Sequence, residues 1–222
     1  MIYIVGIGPG HRDYILPKAL KIMEQCDVII GFKRAVDSLE FINVQKEYMS
    51  RLSDLDKYLK EHKVEDTDVS SDVQRSQVNR GRIKNVAIIA SGDPTFYGIT
   101  NYIKSRVERK FEVIPGISSF QYLTSKVRLP WNNAYTGSLH GRKNEFIKKV
   151  REHEISIWLT DKENNPGVLC RMLQEEKIEC VVIIGENLSY DDEVISEGSP
   201  HEFIESTFSD LNIFIVHKSE KN

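Results

Sequence analysis

The sequence predicts a two-domain α/β protein whose first half carries a parallel sheet. Three observations predict it. The chain has 222 residues, room for two units of about 100 residues each. Short apolar runs alternate with segments of helical spacing. The strands of the first half run into glycine-containing loops, as parallel strands joined by crossover helices do. The expected division is residues 1–114 and 115–222.

The first element is Ile2 to Ile7, a continuous apolar run that suits a buried parallel strand and ends in Gly6-Ile7-Gly8-Pro9-Gly10. Helical spacing from Asp13 to Cys26 follows, with Ile15, Leu16, Ala19, Leu20, Ile22 and Met23 on one broad face. Val28-Ile29-Ile30 is the second strand, closed by Gly31. Arg34 to Phe41 and Leu52 to Leu59 read as helices. Residues 65–82 are nearly all polar and read as a solvated loop, a loosely held helix or a lid, since little apolar area offsets their ordering entropy. Val86 to Ala90 is the strongest strand of this half. A helix over 97–107 and a strand over 111–114 complete it.

The second half begins with a helix over 118–126 and a strand near Ala134-Tyr135-Thr136. A helix over 144–152 and the strand Ile155 to Leu159 come next. A helix over 167–175, the strand Cys180 to Ile184, a segment over 192–197 and a last strand over 212–216 close it.

Composition bounds the function. Apolar residues make up 40% and charged residues 28%, with a formal net charge of -3 from 30 basic and 33 acidic side chains. That balance gives no global reason to expect nucleic acid or an anionic membrane as partner. No apolar run approaches the ~20 residues of a membrane span. Cys26, Cys170 and Cys180 form no metal or redox pair and read as buried small hydrophobes. The odd count and the strand-like start predict a cytoplasmic protein.

The chemistry-bearing residues sit where strands end. The loop after the first strand has no third glycine in dinucleotide register, that position being His11, and no carboxylate follows the second strand to hold a ribose. It serves as a nucleotide loop of another kind or as a plain turn. Ser91-Gly92-Asp93-Pro94-Thr95-Phe96-Tyr97-Gly98 lies at the carboxyl end of the best strand, where open parallel sheets place ligands. Gly92 admits close approach of a ligand to the backbone. Asp93 offers an acceptor to a ligand or caps the next helix. Pro115-Gly116-Ile117-Ser118-Ser119 repeats the pattern, its hydroxyls serving as caps or as ligand contacts. His140 and Arg142 follow the strand near 134–136. With Lys33 and Arg34 they make candidates for acid–base work and for holding carboxylates. No zinc spacing and no nucleophile elbow is present, so no resident metal is expected.

Taken in order, Gly6-x-Gly8-Pro9-Gly10, Gly92-Asp93-Pro94 and Pro115-Gly116-x-Ser118-Ser119 resemble the successive signatures of the tetrapyrrole methyltransferase family, the class III S-adenosylmethionine-dependent enzymes. Leu129-Pro130-Trp131, Ser138-Leu139-His140-Gly141-Arg142, Leu159-Thr160-Asp161-x-Glu163-Asn164-x-Pro166 and Gly185-Glu186-Asn187-Leu188-Ser189-Tyr190 extend the likeness over nearly the whole chain. They narrow it to the branch that methylates C5 of cobalt-precorrin-7 in cobalamin assembly. Residues 65–82 stand outside the pattern as an insertion.

The resemblance implies a mainly parallel N-terminal sheet, a mixed C-terminal sheet and a cofactor cleft between them. It implies S-adenosyl-L-methionine as cofactor, held by Pro9, Gly92, Asp93, Phe96, Ser118, Ser119, Leu159 and Leu188. Independently of the resemblance, His140 is the candidate for moving the proton that the reaction releases, and Lys33, Arg34 and Arg142 are the candidates for holding a tetrapyrrole's carboxylates. A homodimer is implied, as is a separate decarboxylating C15-methyltransferase as functional partner. The alternatives are methylation of another ring position or substrate on the same fold, and a non-catalytic nucleotide-binding module.

Overall fold

Side chains along the first apolar runs alternate between two buried faces, and that alternation organises the first half of the chain. The computed structural model describes residues 1–61, 84–107, 110–139 and 145–218. It divides into two units, Met1–Ser118 and Ser119–Asn222. The polar segment 65–82 lies outside the described residues.

In the first unit, β1 (Ile2–Gly6), β2 (Val28–Phe32), β3 (Gln45–Met49), β4 (Val86–Ala90) and β5 (Phe111–Ile114) form one sheet in the order β3-β2-β4-β1-β5. Every pairing is parallel, with Gly6 level with Ala90 and Ile30 level with Ile88. Val5, Ile29, Ala87 and Ile89 point to one face. There they meet α1 (Pro17–Glu24) and α2 (Lys33–Asp37) through Ala19, Ile22, Met23, Ala35 and Val36. Ile2, Ile4, Val28, Ile30, Val86 and Ile88 point to the other. There they meet Leu55 and Tyr58 of α3 (Leu52–Glu61) and Ile103 of α4 (Thr100–Lys104). Burial on both faces explains why these strands read as unbroken apolar runs.

Several boundaries differ from expectation for local reasons. The first helix starts at Pro17, which occupies its first turn because a missing N–H costs nothing there. The residues before it, Arg12–Tyr14, form a short 3-10 turn. The helix expected over 97–107 shrinks to Thr100–Lys104. Pro94 O accepts from Thr100 N and Thr100 Oγ1, and that holds the preceding residues in a turn. The strand β3 carries no sequence signal. Its run, Gln-Lys-Glu-Tyr-Met, is polar because it lies at the sheet's edge.

In the second unit, β6 (Tyr135–Ser138), β7 (Ile155–Leu159), β8 (Cys180–Glu186), β9 (Val194–Gly198) and β10 (Asn212–Lys218) form a sheet in the order β6-β7-β10-β8-β9. β6 and β7 are parallel, and the remaining pairs are antiparallel, so the sheet is mixed. One face packs on α6 (Phe146–Glu152) and α7 (Pro166–Glu175) around Phe146, Trp158, Leu169, Leu173 and Phe214. Asn165 caps α7 by accepting from Val168 N at 3.2 Å. The remaining helix, α5 (Ser119–Lys126), packs on β10 and brings Leu123 against the Gly185 and Leu188 region. All three cysteines are buried and free, and burial pushes the thiols of Cys26 and Cys170 up to about 12 and that of Cys180 to about 11. They are inert core residues.

Candidate active site

The chain leaves β1 toward α1 on one face of the first sheet and leaves the adjacent β4 toward α4 on the other. Neighbouring strands whose connections part in this way leave a crevice at their carboxyl ends. The glycine loops meet there. Gly8 N donates to Gly92 O at 3.4 Å and Gly92 N donates to Gly8 O at 2.8 Å, an isolated bridge that zips the first loop to the loop after β4. Gly8 and Gly92 hold φ of 78° and 66°, the left-handed region that glycine enters without steric cost.

The third loop is packed in just as closely. A Cβ on Gly116 would stand 2.1 Å from Gly92 O and 2.9 Å from Gly6 C. A Cβ on Gly6 would stand 2.6 Å from Gly116 N and 2.7 Å from Gly92 O. Three backbones therefore touch at one point, and no side chain fits among them. Because Gly92 spends its N–H and C=O on Gly8, this edge offers a ligand surface free of side chains rather than a row of unused donors.

Asp93 holds the arrangement together. One carboxylate oxygen accepts from Thr95 N at 2.7 Å and from Thr95 Oγ1. The other accepts from Gly116 N at 3.2 Å, which ties the β4 loop to the β5 loop. Asp93 does not cap the following helix, whose N-cap residue is Ile99 with no side-chain bond. Beyond it, Phe96 and Tyr97 pack edge to face with ring centres 5.0 Å apart.

The other expected site residues fall as follows. Pro9 is partly buried between Gly8 and Gly10. Ser118, 4% exposed, immediately precedes α5, and Ser119 opens it. Lys33 and Arg34 begin α2 just past the carboxyl end of β2, the strand beside β4, so they share the edge with Gly92. Lys33 pairs with Asp37 at 2.7 Å, and that bond raises the lysine's pKa. His140 and Arg142 lie outside the described residues.

Leu159 and Leu188 belong to the second unit. β10 runs antiparallel to both β7 and β8, so the carboxyl ends of those two strands share one edge. Leu159 ends β7 and the buried Leu188 follows β8 at that edge. A polar network that sequence reasoning did not anticipate supports them. Thr160, 3% exposed, donates to Asn212 O at 3.0 Å. Asn212 Nδ2 donates to Ser209 O at 2.7 Å, and Ser209 Oγ to Asn187 Oδ1 at 2.7 Å. Asn187 and Ser189 flank Leu188 with φ of 46° and 69°, conformations that non-glycine residues rarely hold without support. The only hint in the sequence was a hydroxyl residue directly after a strand.

Among the described residues no group of three or more His, Cys, Asp and Glu could hold a metal ion, and no helix is long and apolar enough to cross a membrane.

Residues 1–203 match the family described as Tetrapyrrole (Corrin/Porphyrin) Methylases. The chain is 32% identical to a probable cobalt-precorrin-7 C(5)-methyltransferase of Methanocaldococcus jannaschii over 231 aligned residues, covering all of both chains. Among solved structures, it superposes on the cobalamin-biosynthetic precorrin-6Y methylase of Archaeoglobus fulgidus with TM-score 0.70 and 22% identity, over 99% of this chain and 98% of the other. A uroporphyrin-III C-methyltransferase from Thermus thermophilus, solved with S-adenosyl homocysteine, gives TM-score 0.73 at 17% identity over 97% and 96%. These two share its fold of a parallel and a mixed sheet. With three glycine loops locked at one sheet edge and a family match over most of its length, the chain belongs to the tetrapyrrole (corrin/porphyrin) methylases.

Proposed function

We propose that this protein transfers the methyl group of S-adenosyl-L-methionine to C5 of cobalt-precorrin-7 in cobalamin biosynthesis. The observation that carries the reading is the full-length relationship to a relative of that name, joined to the locked glycine edge of the first unit.

The residues suit the cofactor. A sulfonium is a cation, and the negative charge of Asp93 beside an edge where no side chain intrudes between Gly6, Gly92 and Gly116 favours such a group. The apolar Leu159 and Leu188 at the second sheet's edge suit an adenosine. The sulfonium supplies an activated methyl group, so the protein's work is alignment and exclusion of water rather than generation of a nucleophile. Gly92, Asp93 and Phe96, with Pro9, Ser118 and Ser119, hold the donor's methionine part. Lys33, Arg34 and Arg142 take substrate carboxylates, and His140 accepts or relays the proton that the methylated carbon must shed. A homodimer is the assembly we assign. A separate decarboxylating C15-methyltransferase would act on the same substrate class, without nucleic acid or membrane as partner.

Incubation with labelled S-adenosyl-L-methionine and cobalt-precorrin-7, read by mass spectrometry and by NMR of the product, tests this directly. One labelled methyl on C5 is the expected result. A label on another ring carbon overturns the position. Cofactor binding by calorimetry with no transfer to any tetrapyrrole leaves a binding module and overturns the enzyme.

A further inference from the structure

Tyr97 is a bulky residue held at φ 51° and 41% exposed. A non-glycine residue in this region is strained and persists only where its surroundings enforce it. Here they do. Asp93 brackets Thr95, and Pro94 O accepts from Thr100 N at 3.2 Å and Thr100 Oγ1 at 2.7 Å. The turn closes so tightly that a Cβ on Gly98 would meet Pro94 O at 2.4 Å. Phe96 supports the ring from the side. A rigid turn at the carboxyl end of β4 thus presents an aromatic ring to solvent.

A second ring stands at the end of the neighbouring strand. Phe32, 42% exposed, is the last residue of β2. A Cβ on Gly31 would point at Ile89 and Val36, so by alternation Phe32 projects to the opposite face, the face of Ile30, Met49 and α4. The turn that carries Tyr97 leads into α4 on that same face. Lys33 and Arg34 follow Phe32 directly. Two exposed rings on one face at the ends of adjacent strands match a flat, apolar ring system.

We propose that Phe32 and Tyr97 are specificity-determining residues that receive the flat face of the tetrapyrrole. The assignment rests on the proposed methyltransferase activity and extends it to residues that no signature motif assigned to the substrate. The rings contact the macrocycle and leave the cofactor's edge, built from Gly8, Gly92 and Gly116, untouched. Loss of Phe32 therefore weakens substrate binding alone, whereas loss of Tyr97 also takes away a packing partner of Phe96.

The test is steady-state kinetics of Tyr97→Gly, Tyr97→Phe and Phe32→Ala with cobalt-precorrin-7 varied at saturating S-adenosyl-L-methionine. Calorimetry of the cofactor and a thermal melt accompany it. Glycine relieves the φ of Tyr97, so a purely structural tyrosine would leave the kinetics unchanged in a stable protein. The expected result is a rise in the tetrapyrrole's KM of about tenfold for Tyr97→Gly and for Phe32→Ala. Cofactor Kd should hold within about twofold for Phe32→Ala, and Tyr97→Phe, which keeps the ring and its packing on Phe96, should raise the KM less than Tyr97→Gly does. Folded Tyr97→Gly and Phe32→Ala proteins with wild-type KM overturn the inference while the enzyme reading stands. A wild-type protein that transfers no methyl to any tetrapyrrole overturns the enzyme reading, and this inference with it.

Discussion

The carboxyl edges of the two sheets are built from different materials. In the first unit, Gly6, Gly92 and Gly116 bring three backbones into contact, and one carboxylate, Asp93, ties the loops. In the second, Thr160, Asn212, Ser209 and Asn187 hold the edge through side-chain bonds, and Glu193 clamps the Leu188 loop. Backbone contact leaves no room for adjustment, because neither partner can change rotamer. A side-chain network can lose one bond and re-form others, often with water. The first edge should therefore fail abruptly on small changes, and the second should weaken by degrees.

The largest effect is expected at Gly116. Alanine there places a Cβ 2.1 Å from Gly92 O, inside any tolerable contact, and the opposing group is backbone. The loops must part, which breaks the bond from Gly116 N to Asp93 and the Gly8–Gly92 bridge beside it. Overpacking costs about 1–3 kcal/mol in cores that can shift side chains, so a backbone clash sits at or above the top of that range. Gly116→Ala should lose cofactor binding by calorimetry and melt well below wild type. An alanine protein with native affinity would refute the idea that this edge is sterically locked.

A middle effect is expected at Thr160. Valine keeps its shape and removes the buried hydroxyl that donates to Asn212. The hydroxyl's one proton is shared between Asn212 O and Oδ1, and Asn212 retains its bond to Ser209 O, so the loss is about 1 kcal/mol by thermal or urea unfolding. Cofactor affinity should fall only in proportion. A collapse as deep as that of Gly116→Ala would erase the contrast between the two edges.

The same contrast explains what could be read from the sequence. Glycine declares its role by type, because only a residue without Cβ can stand at φ 78° against a neighbouring backbone, so Gly6, Gly8, Gly92 and Gly116 were visible as loops at strand ends. The buried strands were visible because both faces are covered. Partners joined across the fold were not visible: Thr160 and Asn212 lie far apart in sequence, as do Asp93 and Gly116, and no local pattern couples them. β3 was hidden because its edge position lets polar residues form a strand. Asp93 was legible as important, but a helix cap and a loop-to-loop tie look identical in sequence.

The smallest effect, and the one that discriminates most finely, concerns Glu193. Its Oε2 accepts from Ser189 N at 2.7 Å, its Oε1 stands 3.3 Å from Lys126 Nζ, and the Tyr122 hydroxyl bonds to it as well. Burial raises the carboxyl's pKa, but the bonds from Tyr122, Ser189 and Lys126 outweigh it and leave the pKa lowered. On Tyr122, burial and then the Glu193 bond push the phenol up to about 12, so it stays a donor throughout the accessible range. A carboxylate lowered in the folded state contributes stability above its unfolded pKa of about 4.3, and that contribution disappears as the pH falls through the folded value. Glutamine keeps an acceptor for Ser189 but carries no charge. At neutral pH Glu193→Gln should cost no more than about 1 kcal/mol. As the pH drops below about 4.3 the two proteins should converge in melting temperature, because wild type then loses what the variant never had. Other acids titrate in the same interval, among them Glu202 with its lowered pKa, so only the difference between the two proteins reports on Glu193. Cofactor affinity provides the second readout. If the clamp sets the Leu188 loop for adenosine, wild-type affinity weakens as Glu193 takes up its proton, while that of the variant changes less. A melting difference that does not shrink with acid would place the charge of Glu193 outside the energetics of this edge and leave the network of Thr160, Asn212, Ser209 and Asn187 to hold it.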